Sequence, residues 1–239
     1  MMNMKITLLT GRTFDIAKET GINLKVVESA HARKLSLRID AKSLIPILTV
    51  PRGYNYKKAL GFIQKQRSWI EEQLKKIPPR REFADGDKIA INGTELEIKH
   101  CPELRCGVII EDGFLKVSGE KTFLSRRVRD FIKEQAQKIL YELSIEKATQ
   151  IGFKINRVVI KDTKSRWGSC STLHNINYNW RIIMAPTNVI DYLVAHEVAH
   201  LKHPNHSEQF WQCARNLAAD MDFGRKWLKE NGRRLSEYI

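Results

Sequence analysis

The strongest constraint on this chain is an apolar helix that carries two histidines and a glutamate. Residues 194–206 read Val-Ala-His-Glu-Val-Ala-His-Leu-Lys-His-Pro-Asn-His, an HExxH arrangement with further histidines just beyond it. At about 100° per residue, His196 and His200 lie roughly 40° apart on a helix, so both imidazoles face one point. Val189, Ile190, Leu193, Val194, Val198 and Leu201 spread apolar side chains around most of the circumference, which predicts a helix buried between other elements. Buried imidazoles and a buried carboxylate need partners, and a metal ion with its water satisfies all three groups together. Glu197 stands beside the pair, in position to take a proton from such a water.

The remaining ligands must come from outside this pair. Pro204 forbids a regular helix beyond His203, whereas His206 follows the Pro204-Asn205 break and approaches from another direction. His206 is the expected third ligand. His203 is then an outer hydrogen-bond donor or a charge at the helix C-terminus, and Glu208, Asp220 and Asp222 stay open as carboxylate ligands. Three protein ligands and one open position describe a catalytic site rather than a structural one.

Further motifs surround this helix. The run Ser165-Arg166-Trp167-Gly168-Ser169-Cys170-Ser171, then Asn175-Ile176-Asn177-Tyr178-Asn179-Trp180-Arg181, then His196-Glu197-x-x-His200 and Pro204-Asn205-His206-Ser207-x-x-Phe210-Trp211 resemble the YgjP-like metallopeptidase-domain family. That family is related to the SprT-like and WLM zinc-dependent metallopeptidases. The specific motifs span residues 165–211, and a weaker match extends through most of the chain. The resemblance implies zinc at His196, His200 and His206, with Glu197 catalytic. It leaves the substrate open, because some members are described as nucleoside triphosphate pyrophosphatases of the UTP type.

The 165–171 stretch reads as a small polar bend between two strands. Arg166 and Trp167 are costly residues for a plain turn, and Arg166 is suited to bind a carboxylate, an oxyanion or a phosphate. Residues 175–181 are expected to offer a strand edge to an extended substrate. Arg166, Trp167 and Asn177 are therefore the candidate substrate-binding residues. Cys170 has His174 as its one sequence neighbour able to activate it, a much weaker signal than the metal motif.

Composition is that of a globular protein, with 42% hydrophobic and 28% charged residues over 239 positions. No apolar run approaches a membrane span and no signal-peptide block opens the chain, so the expected location is the cytoplasm. Cys101, Cys106, Cys170 and Cys213 form no CxxC pair and are expected as free thiols. Lys and Arg number 41 against 27 Asp and Glu, a net +14 that favours anionic partners, nucleic acid among them. No recognised nucleic-acid motif accompanies these charges.

Along the chain, Leu24, Val26, Leu35, Leu37 and Ile39 alternate with polar residues, and residues 45–50 form a further apolar run, so short strands are expected. A helix is predicted over 56–77, with Ala59, Phe62, Ile63, Trp69, Ile70 and Leu74 on its core stripe, ended by Pro78-Pro79. Asn92-Gly93 and Asp112-Gly113, each between apolar runs, are hairpin signals. Thr122 or Ser125 is the expected cap of a long helix to about residue 150. Strands at 155–161 and 175–184 follow, and Thr187 is the expected cap of the metal helix. The expected architecture is α+β: a β-rich N-terminal region with one helix (1–120), then a zincin-like (SprT-like) catalytic domain (121–239). The expected activity is zinc-dependent hydrolysis of polypeptides with Glu197 as general base. The alternatives are metal-dependent hydrolysis of a nucleotide at the same site and a DNA-associated zinc module, which an intact Glu197 disfavours.

Overall fold

The computed structural model describes residues 6–7, 13–14, 19–40, 45–75, 81–163 and 166–238. Pro78-Pro79 and Ser165 lie outside them. The chain forms an α+β structure of two compact units, Met1–Ile77 and Pro78–Ile239.

In the first unit, β1 (Ile6–Thr7) and β2 (Thr13–Phe14) pair antiparallel. A second sheet holds β3 (Lys25–Ser29), β4 (Ser36–Ile39) and β5 (Pro46–Pro51) in the order β3-β5-β4. The apolar run Pro46-Ile47-Leu48 is buried because β5 is central, parallel to β3 and antiparallel to β4. The helix expected over 56–77 is divided into α1 (Tyr56–Lys65) and α2 (Arg67–Lys75). At Gln66 the backbone turns to φ −93° and ψ 4°, and its N–H is shared between the Phe62 and Ile63 carbonyls. Ile63 and Ile70 still reach one core with Leu24, Leu48 and Ala59, while Trp69 of the expected stripe is 37% exposed.

The second unit begins with β6 (Lys88–Ile91), β7 (Thr94–His100), β8 (Val108–Glu111) and β9 (Phe114–Val117) in the order β6-β7-β9-β8. Both expected hairpins form. Asn92 and Gly93 take φ 49° and 79°, and Asp112 and Gly113 take 53° and 79°, the positive values that tight hairpin turns require. Then follow α3 (Leu124–Gln150), β10 (Arg157–Lys161), β11 (Gly168–Cys170), β12 (Asn175–Asn179), a 3₁₀ turn (Trp180–Met184), α4 (Thr187–Lys202), α5 (Glu208–Leu217) and α6 (Met221–Leu235). Ile89, Ile91, Leu96, Ile98, Leu115 and Val117 of the hairpins join one core with Leu124, Val128, Ile132 and Leu140 of α3 and Val189, Ile190, Val194 and Val198 of α4. One core therefore draws on residues from both sides of position 120, and the compact units divide instead between Ile77 and Pro78.

Two contacts fix α4 before its histidines are reached. The Asn92 N–H donates to the Ile183 carbonyl (2.8 Å), and a Cβ on Gly93 would lie 2.8 Å from Thr187 Cγ2. Thr187 is thus packed against the β6–β7 turn as the first residue of α4 and does not cap it; Pro186 precedes the helix. Ser125 does not cap α3 either, since its hydroxyl accepts the Phe83 N–H (3.1 Å). Farther along α4, Asp191 pairs with Lys147 of α3 and accepts the Ala219 N–H (2.8 Å), and Lys147 Nζ also donates to the Leu217 carbonyl (2.6 Å). One ion pair therefore ties α3, α4 and the α5–α6 connection together. Gly224 of α6 packs against Tyr192 so closely that a Cβ would lie 2.2 Å from Tyr192 Cβ. Among the described residues no helix is long and apolar enough to cross a membrane.

Candidate metal centre

α4 brings His196 and His200 to one face, and ends at Lys202 because Pro204 removes the next backbone donor. The connection to α5 then returns His206 to the same point. Ser207 starts α5 by accepting the Phe210 N–H. One nitrogen from each of His196, His200 and His206 lies within 4.8 Å of the others. His196 Nε2 and His206 Nε2 are 3.2 Å apart. Metal–nitrogen bonds of roughly 2.0–2.1 Å in a tetrahedral site give an edge of about 3.4 Å, so the donor set suits a four-coordinate metal. Glu208, Asp220 and Asp222 are outside this cluster, and Asp220 instead caps α6 by accepting the Phe223 N–H (2.9 Å).

The outer contacts orient the rings. His200 Nδ1 donates to the His203 carbonyl (3.1 Å), which leaves Nε2 free to ligate. His203 was expected to act through its side chain, as a donor or a charge; the contact it makes to His200 is instead that of an accepting backbone carbonyl. Phe210 is fully buried, with its ring centroid 4.4–5.0 Å from those of all three histidines, and Trp211 stacks on His206 at 5.5 Å and 27°. The Arg225 guanidinium lies over the Trp211 ring, 5.1 Å from its centroid. His196 Nδ1 is buried without a hydrogen-bond partner among the described residues. Burial, and then the neighbouring positive groups, push His196 down from its ordinary 6.5 to about 4; burial also lowers His200. Both rings are neutral near pH 7, the form that binds a metal.

Glu197 is 5% exposed, and burial raises it from 4.5 to about 8, against a smaller opposing pull from Arg166. A cation held by the adjacent imidazoles would bring it down. In metal-free protein the two shifts act oppositely. Depressed His196 adds stability as pH rises towards 6.5, because the unfolded chain still holds a proton there that the fold has lost. Raised Glu197 removes stability between 4.5 and about 8, because the fold keeps a proton that the unfolded chain has released. Above 6.5 only the second effect continues, so chelator-treated protein should lose roughly 2 kcal/mol between pH 6.5 and 8. Urea denaturation over that interval checks this: stability that rises, or an equal fall in Glu197→Gln, would be the contrary result.

Around the centre runs a cleft of about 580 Å³, lined by Arg166, residues 168–172, His174, His196, Glu197, His200, Leu201, Pro204 and His206. Arg166 is therefore placed in one cleft with His196, His200 and His206. Trp167 does not line the cleft; it packs on the core, where a Cβ on Gly232 would lie 3.2 Å from its Nε1. Asn177 is also outside the lining, and its side-chain amide donates to Ser169 Oγ (3.2 Å). The reason is topology. β12 is the central strand of the order β10-β12-β11, parallel to β10 and antiparallel to β11, so its edges are already paired. The sheet edge beside the cleft belongs to β11, three residues read from sequence as a bend.

Gly168 of β11 was not singled out by sequence, although it lies in the quoted motif. A Cβ there would stand 2.5 Å from Glu197 Oε1 and 2.6 Å from its Cγ. The absence of a side chain lets the strand and the carboxylate meet. Gly168→Ala should displace Glu197 at unchanged metal content, and with Glu197 as the expected general base kcat/KM should fall by about 10²-fold. Wild-type kinetics in that variant would show that Glu197 is not confined there. Cys170 lines the same cleft, but burial and then the Glu197 charge raise it to about 11, so it is a neutral thiol and a poor nucleophile.

No curated protein matches the chain. Among solved structures it is similar to the metallopeptidase zymogen jannalysin of Methanocaldococcus jannaschii, with 21% identity and a TM-score of 0.32 over 41% of this chain and 96% of that one. The YgjP-like metallopeptidase-domain family matches residues 33–231, most of the length. The chain belongs to the YgjP-like metallopeptidase-domain family.

Proposed function

We propose that this protein is a zinc-dependent metallopeptidase of zincin type, with Glu197 as general base. The observation that carries the reading is the meeting of three imidazole nitrogens, a buried carboxylate and a free strand edge in one cleft. His196, His200 and His206 hold the metal. When bound, zinc supplies a Lewis acid that makes water a nucleophile near neutral pH and stabilises negative charge on oxygen. Glu197 accepts the proton from the attacking water and passes it to the leaving amine.

The strand edge supports a polypeptide substrate. Asn179 N–H donates to the Trp167 carbonyl (2.7 Å) and Ser171 N–H to the Asn175 carbonyl (2.9 Å), so by antiparallel alternation Ser169 and Asn177 form the bonded pair between them. Gly168 and Cys170 then turn their backbone groups away from β12, where an extended peptide adds as a further strand. Arg166 contributes a positive charge beside Glu197, suited to a substrate carboxylate or a developing oxyanion.

The test is to offer zinc-loaded protein unfolded polypeptides and nucleoside triphosphates side by side. Peptide cleavage is expected. Nucleotide hydrolysis alone would move the site to the pyrophosphatase reading. Salt-dependent DNA binding without any hydrolysis would make it a structural zinc module.

A further inference from the structure

The cleft continues past the metal centre. Beyond Cys170 the chain turns through Ser171-Thr172-Leu173-His174, closed by the His174 N–H donating to the Ser171 carbonyl (2.9 Å). The Asn156 N–H donates to the His174 carbonyl (3.0 Å), which ties the turn to the start of the β10 region. His174 takes φ +57°, a conformation that glycine adopts freely and other residues less readily. Its ring lies edge-on to Phe153, with centroids 5.9 Å apart.

Thr172 and His174 line the cleft and also a second cavity of about 410 Å³, completed by Lys154, Ile155, Asn156 and Leu173. The two spaces therefore share a wall. Leu173 is 72% exposed, the most exposed large apolar side chain among the described residues. Lys154 brings the cavity a fixed positive charge, and among the described residues no carboxylate lines it. An apolar contact surface beside an uncompensated ammonium suits a side chain with a short aliphatic stem and an anionic end.

We propose that this second cavity is a substrate subsite for an acidic side chain of an extended polypeptide. The polypeptide lies along β11 from Glu197, with Lys154 pairing its carboxylate and Leu173 covering its methylenes; this rests on the metallopeptidase reading above. Gly168 meets Glu197, and at about 3.4 Å per residue the turn after Cys170 begins about 10 Å farther on. The acidic residue accordingly falls about three or four positions from the cleaved bond, beyond the reach of a short peptide. The net charge of +14 acts in the same direction, favouring acidic segments at encounter.

The experiment uses the zinc-loaded full chain and octapeptides in which one Glu is scanned along both sides of the cleaved bond. Glu should lower KM at one position about three or four residues away, with little change in kcat. Lys154→Glu, on an exposed side chain, should raise KM for that octapeptide by about tenfold, because attraction is replaced by repulsion. The same variant should cleave a tetrapeptide as the wild type does. His174→Gly, which suits the positive φ, should keep the fold while weakening the Glu preference. A Glu preference unchanged in Lys154→Glu, or none in the wild type, overturns the subsite and leaves the metallopeptidase standing. Failure of the wild type to cleave any peptide overturns both.

Discussion

Glu197→Gln should keep the fold and the metal and lose turnover by about 10²- to 10⁴-fold, the range for removing a positioned acid–base group. The carboxylate is buried against Gly168, where a Cβ would stand 2.5 Å from Oε1, and glutamine fills the same volume. Glutamine cannot accept the proton. It also has no charge to desolvate, so the metal-free variant should be more stable than the wild type above pH 6.5, where burial of Glu197 is unfavourable. Metal analysis, thermal unfolding and single-substrate kinetics are the three measurements. Loss of metal or fold would make Glu197 a structural group, and wild-type turnover would remove it from the chemistry. The test applies to peptide or nucleotide alike.

The local parts of this result are legible in the sequence because they depend on short-range physics. HExxH sets two imidazoles about 40° apart on any helix. Asn92-Gly93 and Asp112-Gly113 form hairpins because those residues accept positive φ. The parallel pairings of β3 with β5, β7 with β9 and β10 with β12 have no such local signal. They depend on contacts between segments separated in the chain. For that reason β12 was expected to present its edge, whereas β11 takes that place. Gly168-Ser169-Cys170 carries no β-branched or alternating pattern from which a strand can be read.

The capping residues show the same division. Ser125 and Thr187 are good cap types by local propensity, yet Ser125 is drawn to the Phe83 N–H and Thr187 is packed against Gly93. Both contacts come from the β-rich segment of 81–120, whose membership in the core around α4 no local pattern announces. Trp167 likewise looked like a binding residue because it is a large aromatic in a polar turn. Its actual place depends on Gly232, a helix residue more than sixty positions later in the chain. Arg166 needed no such partner to reach the cleft, and it is found there.

His206→Ala should lower metal affinity by more than the roughly 10- to 100-fold that loss of an outer hydrogen-bond partner costs, while His203→Ala should fall at or below that range. His206 offers a ring nitrogen 3.2 Å from that of His196, so its removal deletes one of three converging donors. His203 contributes a backbone carbonyl to His200 Nδ1, and alanine retains that carbonyl. The His203 N–H also donates to the Ala199 carbonyl, which closes the last turn of α4 with any side chain. Competition with a chelator of known affinity ranks the two variants, and unfolding in excess chelator separates ligand loss from a weakened fold. The reverse ranking would transfer ligation to His203. That side chain would then have to rotate from the end of α4 towards His196 and His200, against the turn that Pro204 imposes.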